Sequence, residues 1–130
     1  MKRKAGTWIL IIGFCLVSVA VLADVFDNIA QAFRAGDAKA IAKYFDNNIE
    51  LRIADKGSVY SRNQAELVLK EFLNNNAPKA FNVVHRGSSA KGALYAIGTM
   101  ETGKGNYRTY ILVKEVGGKQ YIEELQFEKQ

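Results

Sequence analysis

Apolar residues recur at helical spacing in the segment that follows residue 24. Val25, Ile29 and Phe33 lie four positions apart, and Ala32 completes the same face of a helix. Gly36 then occupies a position where a helix C-cap favours a residue that adopts positive φ. The pattern predicts a first helix that ends at a tight corner.

A second helix is predicted directly after that corner. Asp37 is a suitable N-cap residue, because its carboxylate accepts hydrogen bonds from backbone N–H groups of the first turn. The helical spacing continues in Ala38, Ile41, Ala42 and Phe45. The predicted second helix therefore covers Asp37 to Phe45.

The next segment predicts a short hairpin. Ile49 to Ala54 alternates between apolar and polar residues, as a half-buried strand does. Asp55 to Gly57 are typical turn residues, and Ser58 to Tyr60 return as a short partner strand.

A third helix is predicted after the hairpin. Ser61 and Gln64 have the spacing of a capping box at its start. The apolar face of this helix consists of Ala65, Val68, Leu69 and Phe72. The asparagines at positions 74–76 weaken the helix, and Pro78 prevents its continuation.

The second half of the chain predicts an antiparallel meander. Four strand-like segments are separated by turns that contain glycine: Ala80–Gly87, Gly92–Glu101, Asn106–Val116 and Lys119–Glu128. The pair Gly117-Gly118 before the last segment has the strongest hairpin signal. Helices first and strands afterwards indicate an α+β fold rather than alternating α/β units.

These elements pack economically as a cone. We expect three N-terminal helices on the concave face of a curved, mainly four-strand antiparallel sheet, with a hollow at the wide end. Gly98 lies midway along a predicted strand, where it permits either a bend in the sheet or the close approach of a helix.

The segment Ile29 to Phe45 (IAQAFRAGDAKAIAKYF), followed by Asn47-Asn48-Ile49-Glu50, resembles the opening of the nuclear transport factor 2-like superfamily. The order of helix, Gly-Asp corner, helix ending in phenylalanine and first strand matches. The later order of hairpin, third helix and meander agrees as well. More narrowly, the chain resembles the short exported bacterial members of that superfamily.

This resemblance implies the cystatin-like α+β cone of the superfamily. It implies no particular activity, because the superfamily contains isomerases, dehydratases and cyclases as well as immunity and transport partners. Its catalytic members generally place an aspartate, histidine or tyrosine in the cone. None of their catalytic motifs matches this chain residue by residue, so no active site is carried over.

The start of the chain has the three-part layout of a secretory signal peptide. A basic region at positions 2–4 precedes an apolar run from Thr7 to Leu22, which is short for a membrane span. We predict cleavage after Ala23, which leaves a single exported domain, Asp24 to Gln130, in the periplasm or outside the cell. An uncleaved N-terminal anchor is the alternative.

Loss of that segment changes the charge and the chemistry of the domain. The chain has a formal charge of +5, and removal of the three basic residues at positions 2–4 leaves +2. The remaining basic residues form no run, so nucleic-acid binding is not expected. Cys15 is the only cysteine, and the bulky Phe14 before it argues against lipidation. The mature domain therefore has no thiol for a disulfide or a metal site.

His85 is the first candidate for chemistry. Strand alternation places it on the same face as Phe81 and Val83, where an imidazole facing the cone can act as a general base near neutral pH. The alternative is a histidine that is hydrogen-bonded at the sheet surface or packed in a dimer contact. No second histidine is present, so a histidine-cluster metal site is not expected.

Glu123 is the second candidate. Strand alternation places it with Tyr121, Leu125 and Phe127, where apolar surroundings would raise the pKa of its carboxyl and allow proton exchange. The alternatives are that the alternation slips at a bulge, or that a nearby lysine or arginine neutralises the carboxylate.

Tyrosines supply the other candidate binding residues. Tyr95 and Tyr110 lie near the middle of their predicted strands, and a tyrosine has both an apolar ring and a polar tip. They are therefore the preferred walls of a pocket or a dimer interface, together with His85 and Glu123. The alternative is that they simply favour strand structure. No cofactor or metal is expected.

Three functions fit this sequence. The first is a non-catalytic exported domain that binds a small apolar ligand or a protein partner through the cone or a sheet face. The second is a small proton-transfer enzyme, of the isomerase or dehydratase type, with His85 or Glu123 as its base. The third is a structural homodimer that associates through the convex face of the sheet.

Overall fold

The structure is a computed structural model that describes residues 24–89 and 91–130. The helices of this part are α1 (Val25–Arg34), α2 (Ala38–Ala42) and α3 (Arg62–Asn75). The strands are β1 (Phe45–Ile53), β2 (Lys56–Ser61), β3 (Pro78–Ser88), β4 (Leu94–Thr102), β5 (Gly105–Val116) and β6 (Lys119–Lys129). The predicted signal peptide, with Cys15, lies outside the described residues. None of the helices in the described part has the length and apolar character that a membrane crossing requires.

Helix α1 forms as its pattern predicts. The Asp24 carboxylate accepts a hydrogen bond from Asp27 N at 2.9 Å, and the Asp27 carboxylate accepts one from Asp24 N at 3.3 Å. This reciprocal capping box satisfies backbone donors that the first turn leaves free. Ile29 and Phe33 are fully buried against the sheet. The helix ends at Arg34 with Ala35 as its C-cap, and the following Gly36 has a φ of 64° and makes the predicted corner.

Helix α2 begins as predicted and ends early. Asp37 is its N-cap and accepts a hydrogen bond from Ala40 N at 3.0 Å. The prediction of a helix through Phe45 is wrong, because α2 ends at Ala42 and Phe45 begins β1. The backbone of Tyr44 accepts a hydrogen bond from Ile122 N at 2.6 Å. Pairing with the last strand therefore prevails over the local helical spacing.

Helix α3 confirms its predicted start and end. The Ser61 hydroxyl accepts a hydrogen bond from Gln64 N at 3.3 Å and caps the first turn. The helix continues to Asn75, and Asn76 is its C-cap. Its buried residues are Ala65, Leu69, Phe72 and Leu73.

The sheet differs from the predicted mainly four-strand antiparallel one. It has six strands in the order β2-β1-β6-β5-β4-β3, it is curved, and it does not close. The predicted meander is present, since β3, β4, β5 and β6 pair antiparallel in sequence order. The hairpin of β1 and β2 extends the same sheet, because β1 pairs with β6 in parallel. Local patterns do not specify this pairing, since the two strands lie far apart in the chain.

Phenylalanine rings fill the space between the helices and the sheet. Phe33 stacks on Phe81 with ring centroids 4.6 Å apart, and it meets Phe127 edge-on at 5.9 Å. Phe72 lies 4.7 Å from Phe127 and 5.1 Å from Tyr107. Aromatic pairs at these distances stabilise the core beyond their buried area. The interior of the cone is therefore filled by side chains along this cluster.

Gly98 allows one of these rings to pack closely. A Cβ at this position would lie 2.6 Å from Cζ of Phe81 and 3.1 Å from the carbonyl oxygen of Asn82. The close approach that a glycine permits is therefore made by the side chain of a neighbouring strand and not by a helix.

The substitution Gly98→Ala is expected to lower the free energy of unfolding by about 1–3 kcal/mol, because the added methyl group displaces the Phe81 ring from its stack on Phe33. Urea denaturation measures this change. Gly103→Ala is the matched control, since a Cβ there meets only the flexible Lys79 side chain, at 3.6 Å, and should change stability by less than about 0.5 kcal/mol. Equal effects of the two substitutions would contradict the packing role of Gly98.

Candidate functional site

An apolar cleft of about 340 Å³ lies between α3 and the hairpin of β1 and β2. We call it the α3 cleft. Its lining residues are Leu51, Ile53, Lys56, Tyr60, Val68, Glu71, Phe72, Asn75 and Asn76. The α3 residues among them lie three or four positions apart, which puts them on one face of the helix. Leu51 and Ile53 share one face of β1 because strand side chains alternate.

The floor of the α3 cleft is apolar and its rim is polar. Leu51 and Phe72 are buried, whereas Ile53, Tyr60 and Val68 are half-buried and face the open space. The rim consists of the charged Lys56 and Glu71 and the amides of Asn75 and Asn76. An apolar floor with a few polar groups at the edge is the usual composition of a small-molecule site.

Asn76 is held rigidly at this rim. Its side-chain Nδ2 donates a hydrogen bond to Phe72 O at 3.0 Å, and its Oδ1 accepts one from the Tyr107 hydroxyl at 3.3 Å. The asparagines at 74–76 were predicted only to weaken the end of the helix. A run of amides after an apolar helical face is the sequence feature from which this rim could have been predicted.

Three of the four predicted binding residues meet on the opposite side of the sheet, on the face that points away from the helices. We call it the outer face. His85 Nε2 lies 3.1 Å from the Tyr95 hydroxyl, within hydrogen-bond distance. The rings of Tyr95 and Tyr110 are stacked with centroids 6.1 Å apart. Gly87 accommodates the Tyr95 ring, since a Cβ there would lie 2.5 Å from it.

The prediction that His85 shares a face with Phe81 and Val83 is wrong. Val83 pairs with Gly98 and His85 pairs with Ile97, so the intervening Val84 is an extra residue that reverses the alternation. His85 is exposed on the outer face as a result.

The same bulge directs the next residue, Arg86, toward the helices. Arg86 Nη2 lies 2.6 Å from Asp27 Oδ1, and its Nε lies 3.0 Å from Asp24 Oδ2. These ion pairs connect β3 to the start of α1. The bulge therefore places an arginine at the helix cap and a histidine on the outer face.

The prediction that Glu123 faces the core is also wrong. Leu112 pairs with Glu124 and Val113 pairs with Ile122, so Glu123 is the extra residue of a second irregularity. It is exposed, as in the alternative in which the alternation slips at a bulge. It does not line the α3 cleft. The acidic residue near the tyrosines of the outer face is Glu124 instead.

The environment of Tyr110 differs from that of an ordinary surface tyrosine. The main cause is its partial burial, which raises the pKa of the phenol because it disfavours the charged phenolate. The charge of Glu124 raises the pKa further, and so does Tyr95. Gln126 donates a hydrogen bond to the Glu124 carboxylate beside them. Tyr110 therefore stays a neutral hydrogen-bond donor above the pH at which a free tyrosine ionises.

No metal site is evident in the described residues. No group of three or more histidine, cysteine, aspartate and glutamate side chains in that part of the chain is placed to hold a metal ion.

The fold is that of a nuclear transport factor 2-like α+β domain. A designed protein named Rd1NTF2_05 is similar to the chain with a TM-score of 0.61 at 18% identity, over 77% of this chain and 90% of that chain. At this identity the likeness concerns the fold alone.

The chain belongs to the family described as domain of unknown function DUF4783, whose pattern matches residues 26–128. A family member from Bacteroides fragilis YCH46 has a crystal structure with a TM-score of 0.77 and 27% identity, and the match covers 82% of this chain and 100% of that one. A second, from Bacteroides uniformis ATCC 8492, has a TM-score of 0.77 and 26% identity, over 82% and 98% of the two chains. No curated protein matches the chain.

The substitution Glu124→Gln is expected to lower the pKa of the Tyr110 phenol, because it removes the negative charge that opposes ionisation. The pKa should stay above its usual value near 10, since the burial remains. NMR titration of isotope-labelled tyrosine rings, assigned with Tyr110→Phe, measures the change. Glu123→Gln removes the same charge from the exposed bulge and should leave the Tyr110 pKa nearly unchanged. A larger shift in this control would contradict the placement of Glu124.

Proposed function

We propose that the protein is a non-catalytic binding domain that holds a small, mainly apolar ligand in the α3 cleft. The observation that carries this proposal is the apolar floor of a cleft of about 340 Å³ beside a core that is otherwise filled. This volume lies within the range of about 300–1,000 Å³ that is common for small-molecule sites. Membership of a family of unknown function leaves the ligand open.

The apolar floor and the polar rim of the α3 cleft together indicate which class of ligand it would bind. Apolar surface buried on binding stabilises a complex by about 25 cal/mol per Å², so the floor favours a ligand with an apolar body. The amide of Asn75 and the charged tips of Lys56 and Glu71 suit a polar group at the other end of that ligand. We infer an amphipathic molecule whose polar end lies at the rim.

A binding role is favoured over the proton-transfer alternative by the positions of the two candidate bases. That alternative requires His85 or Glu123 in a closed cavity, with a second polar group in hydrogen-bond reach. His85 has such a partner in Tyr95, but its side chain is exposed on the outer face. Glu123 is exposed at its bulge. Neither side chain lines the α3 cleft.

We also propose that the domain acts after export, in the periplasm or outside the cell. The basic, apolar and small-residue order of the first 23 residues supports this proposal.

A second candidate function is association of two copies through the outer face. The stacked rings of Tyr95 and Tyr110 favour it, because tyrosine is enriched at protein interfaces. Arg108 and Glu128 are paired neighbours on β5 and β6 near these rings, so the face carries both charges. A face of mixed charge is suited to a two-fold contact, in which the same patch of each copy meets the other.

The substitution Val68→Trp is expected to weaken binding of the apolar dye Nile red by about tenfold or more, because the larger side chain fills the α3 cleft. Dye fluorescence measures the affinity, and native mass spectrometry of the purified protein detects any retained cellular molecule. Leu67→Trp is the matched control, because Leu67 is the preceding residue, is 65% exposed and does not line the cleft. Equal dye affinity in the two variants would refute the proposed site.

The outer-face proposal predicts a dimer at micromolar concentrations. Tyr110→Glu should raise its dissociation constant by about tenfold or more, since it places a charge at the centre of the contact. Analytical ultracentrifugation measures both values. Leu67→Glu introduces the same charge on exposed α3 surface and should leave the dimer intact. A wild-type protein that remains monomeric at every concentration would remove this second candidate.

A further inference from the structure

A second hollow, of about 520 Å³, lies where the first turn of α1, the end of α2 and the starts of α3 and β6 meet. We call it the basic cleft. Its lining residues are Val25, Asn28, Lys43, Tyr44, Arg62, Lys119, Gln120 and Tyr121. They come from four separate parts of the chain, and none of them lines the α3 cleft.

In the described part of the chain, three cations face this hollow and no carboxylate lines it. Within residues 24–89 and 91–130, the ion pairs are those of Arg86 with Asp24 and Asp27 and of Lys114 with Asp46. In that part of the chain, Lys43, Arg62 and Lys119 therefore have no ion-pair partner. Arg62 Nη2 donates one hydrogen bond, to the neutral Asn47 Oδ1 at 3.2 Å. Like charges gathered without a counter-charge attract an anion from solution.

Three carboxylates that are close in sequence to lining residues of the basic cleft are already engaged. Asp46 lies near Arg62, but its carboxylate is paired with Lys114, since its Oδ2 lies 2.6 Å from Lys114 Nζ. The carboxylates at the start of α1 are held by Arg86, as described above. A neighbouring hollow, which Lys43 and Arg62 also line, adds Lys39 and Glu66 to the surroundings, one charge of each sign. The cleft therefore keeps a net positive charge.

The remaining lining groups suit an organic molecule rather than a bare ion. Tyr44 and Tyr121 are half-buried, and their rings offer apolar surface with a hydroxyl at the tip. The amides of Asn28 and Gln120 can donate or accept hydrogen bonds. The start of α3 at Arg62 adds the partial positive charge of a helix N-terminus. A volume of about 520 Å³ also exceeds what a single inorganic anion occupies.

We propose that the basic cleft binds a small organic anion that carries a phosphate or carboxylate group on a ring. The anionic group lies among Lys43, Arg62 and Lys119, and the ring packs against Tyr44 or Tyr121. This site goes beyond the proposed function of the α3 cleft, and the two sites bind different chemical classes.

The test uses protein purified after expression of the full chain, with phenyl phosphate and benzoate as anionic probes. Phenol supplies the same ring without an anionic group, and inorganic phosphate supplies an anion without a ring. Isothermal titration calorimetry should give an affinity for phenyl phosphate about tenfold or more above that for phenol and above that for inorganic phosphate. The affinity should fall as sodium chloride is added, because salt screens exposed charges.

Substitutions locate the site. Arg62→Gln and Lys119→Gln should each weaken phenyl phosphate binding by about two- to fivefold, and the double variant by about tenfold. Arg62→Lys keeps the charge and should retain most of the affinity. Lys70→Gln is the matched control, because it removes a cation from exposed α3 surface that does not line the cleft. Val68→Trp, which fills the α3 cleft, should leave this affinity unchanged.

Several results would overturn the proposal. They are the absence of binding for both anionic probes at millimolar concentration, equal affinity for phenol, and equal losses in Lys70→Gln and Arg62→Gln. Thermal denaturation of each variant establishes that it is folded; the substituted cationic side chains are exposed, whereas Val68 is half-buried. A loss caused by Val68→Trp alone would assign the anion to the α3 cleft and would also overturn the proposal.

Discussion

The parallel pairing of β1 with β6 joins the first part of the domain to the last, and both candidate clefts depend on it. Tyr44 O accepts a hydrogen bond from Ile122 N at the start of the pair, and Phe127 O accepts one from Ala54 N, at 2.8 Å, at its end. Near the end of β1, Leu51 and Ile53 form part of the α3 cleft. Residues beside the start of both strands line the basic cleft. One strand pair therefore positions two sites of opposite chemical character.

Neither candidate cleft lies in the interior of the cone. Phe33, Phe72, Phe81 and Phe127 occupy the interior that a hollow cone would leave open. The candidate clefts therefore lie at the margins, where helices and strands meet at their ends. A fold shared with many different proteins says little about function, and in this chain the function must be argued from the side chains at these margins.

Features with a local cause were predictable from the sequence. Caps, glycine corners and alternating strands depend on neighbouring residues, and the corner after α1, the starts of α2 and α3 and the strands of the meander were confirmed. The side of the sheet was predicted correctly for Leu125 and Phe127 but wrongly for His85 and Glu123, which follow or form a bulge. A bulge depends on cross-strand pairing, which alternation within one strand does not reveal. The clefts were missed because their residues are distant in sequence.

The bulge in β3 also affects how the molecule meets its neighbours in solution. An open sheet has two edges, here β2 and β3, and each exposes backbone donors and acceptors that a foreign strand can pair with. The extra residue Val84 interrupts this row on β3, and Arg86, two residues further on, is charged. β2 has only six residues and begins with Lys56. Both edges thus resist the continuous strand addition that leads to aggregation. This protection matters because the described residues include no cysteine, so no disulfide holds this part of the chain together.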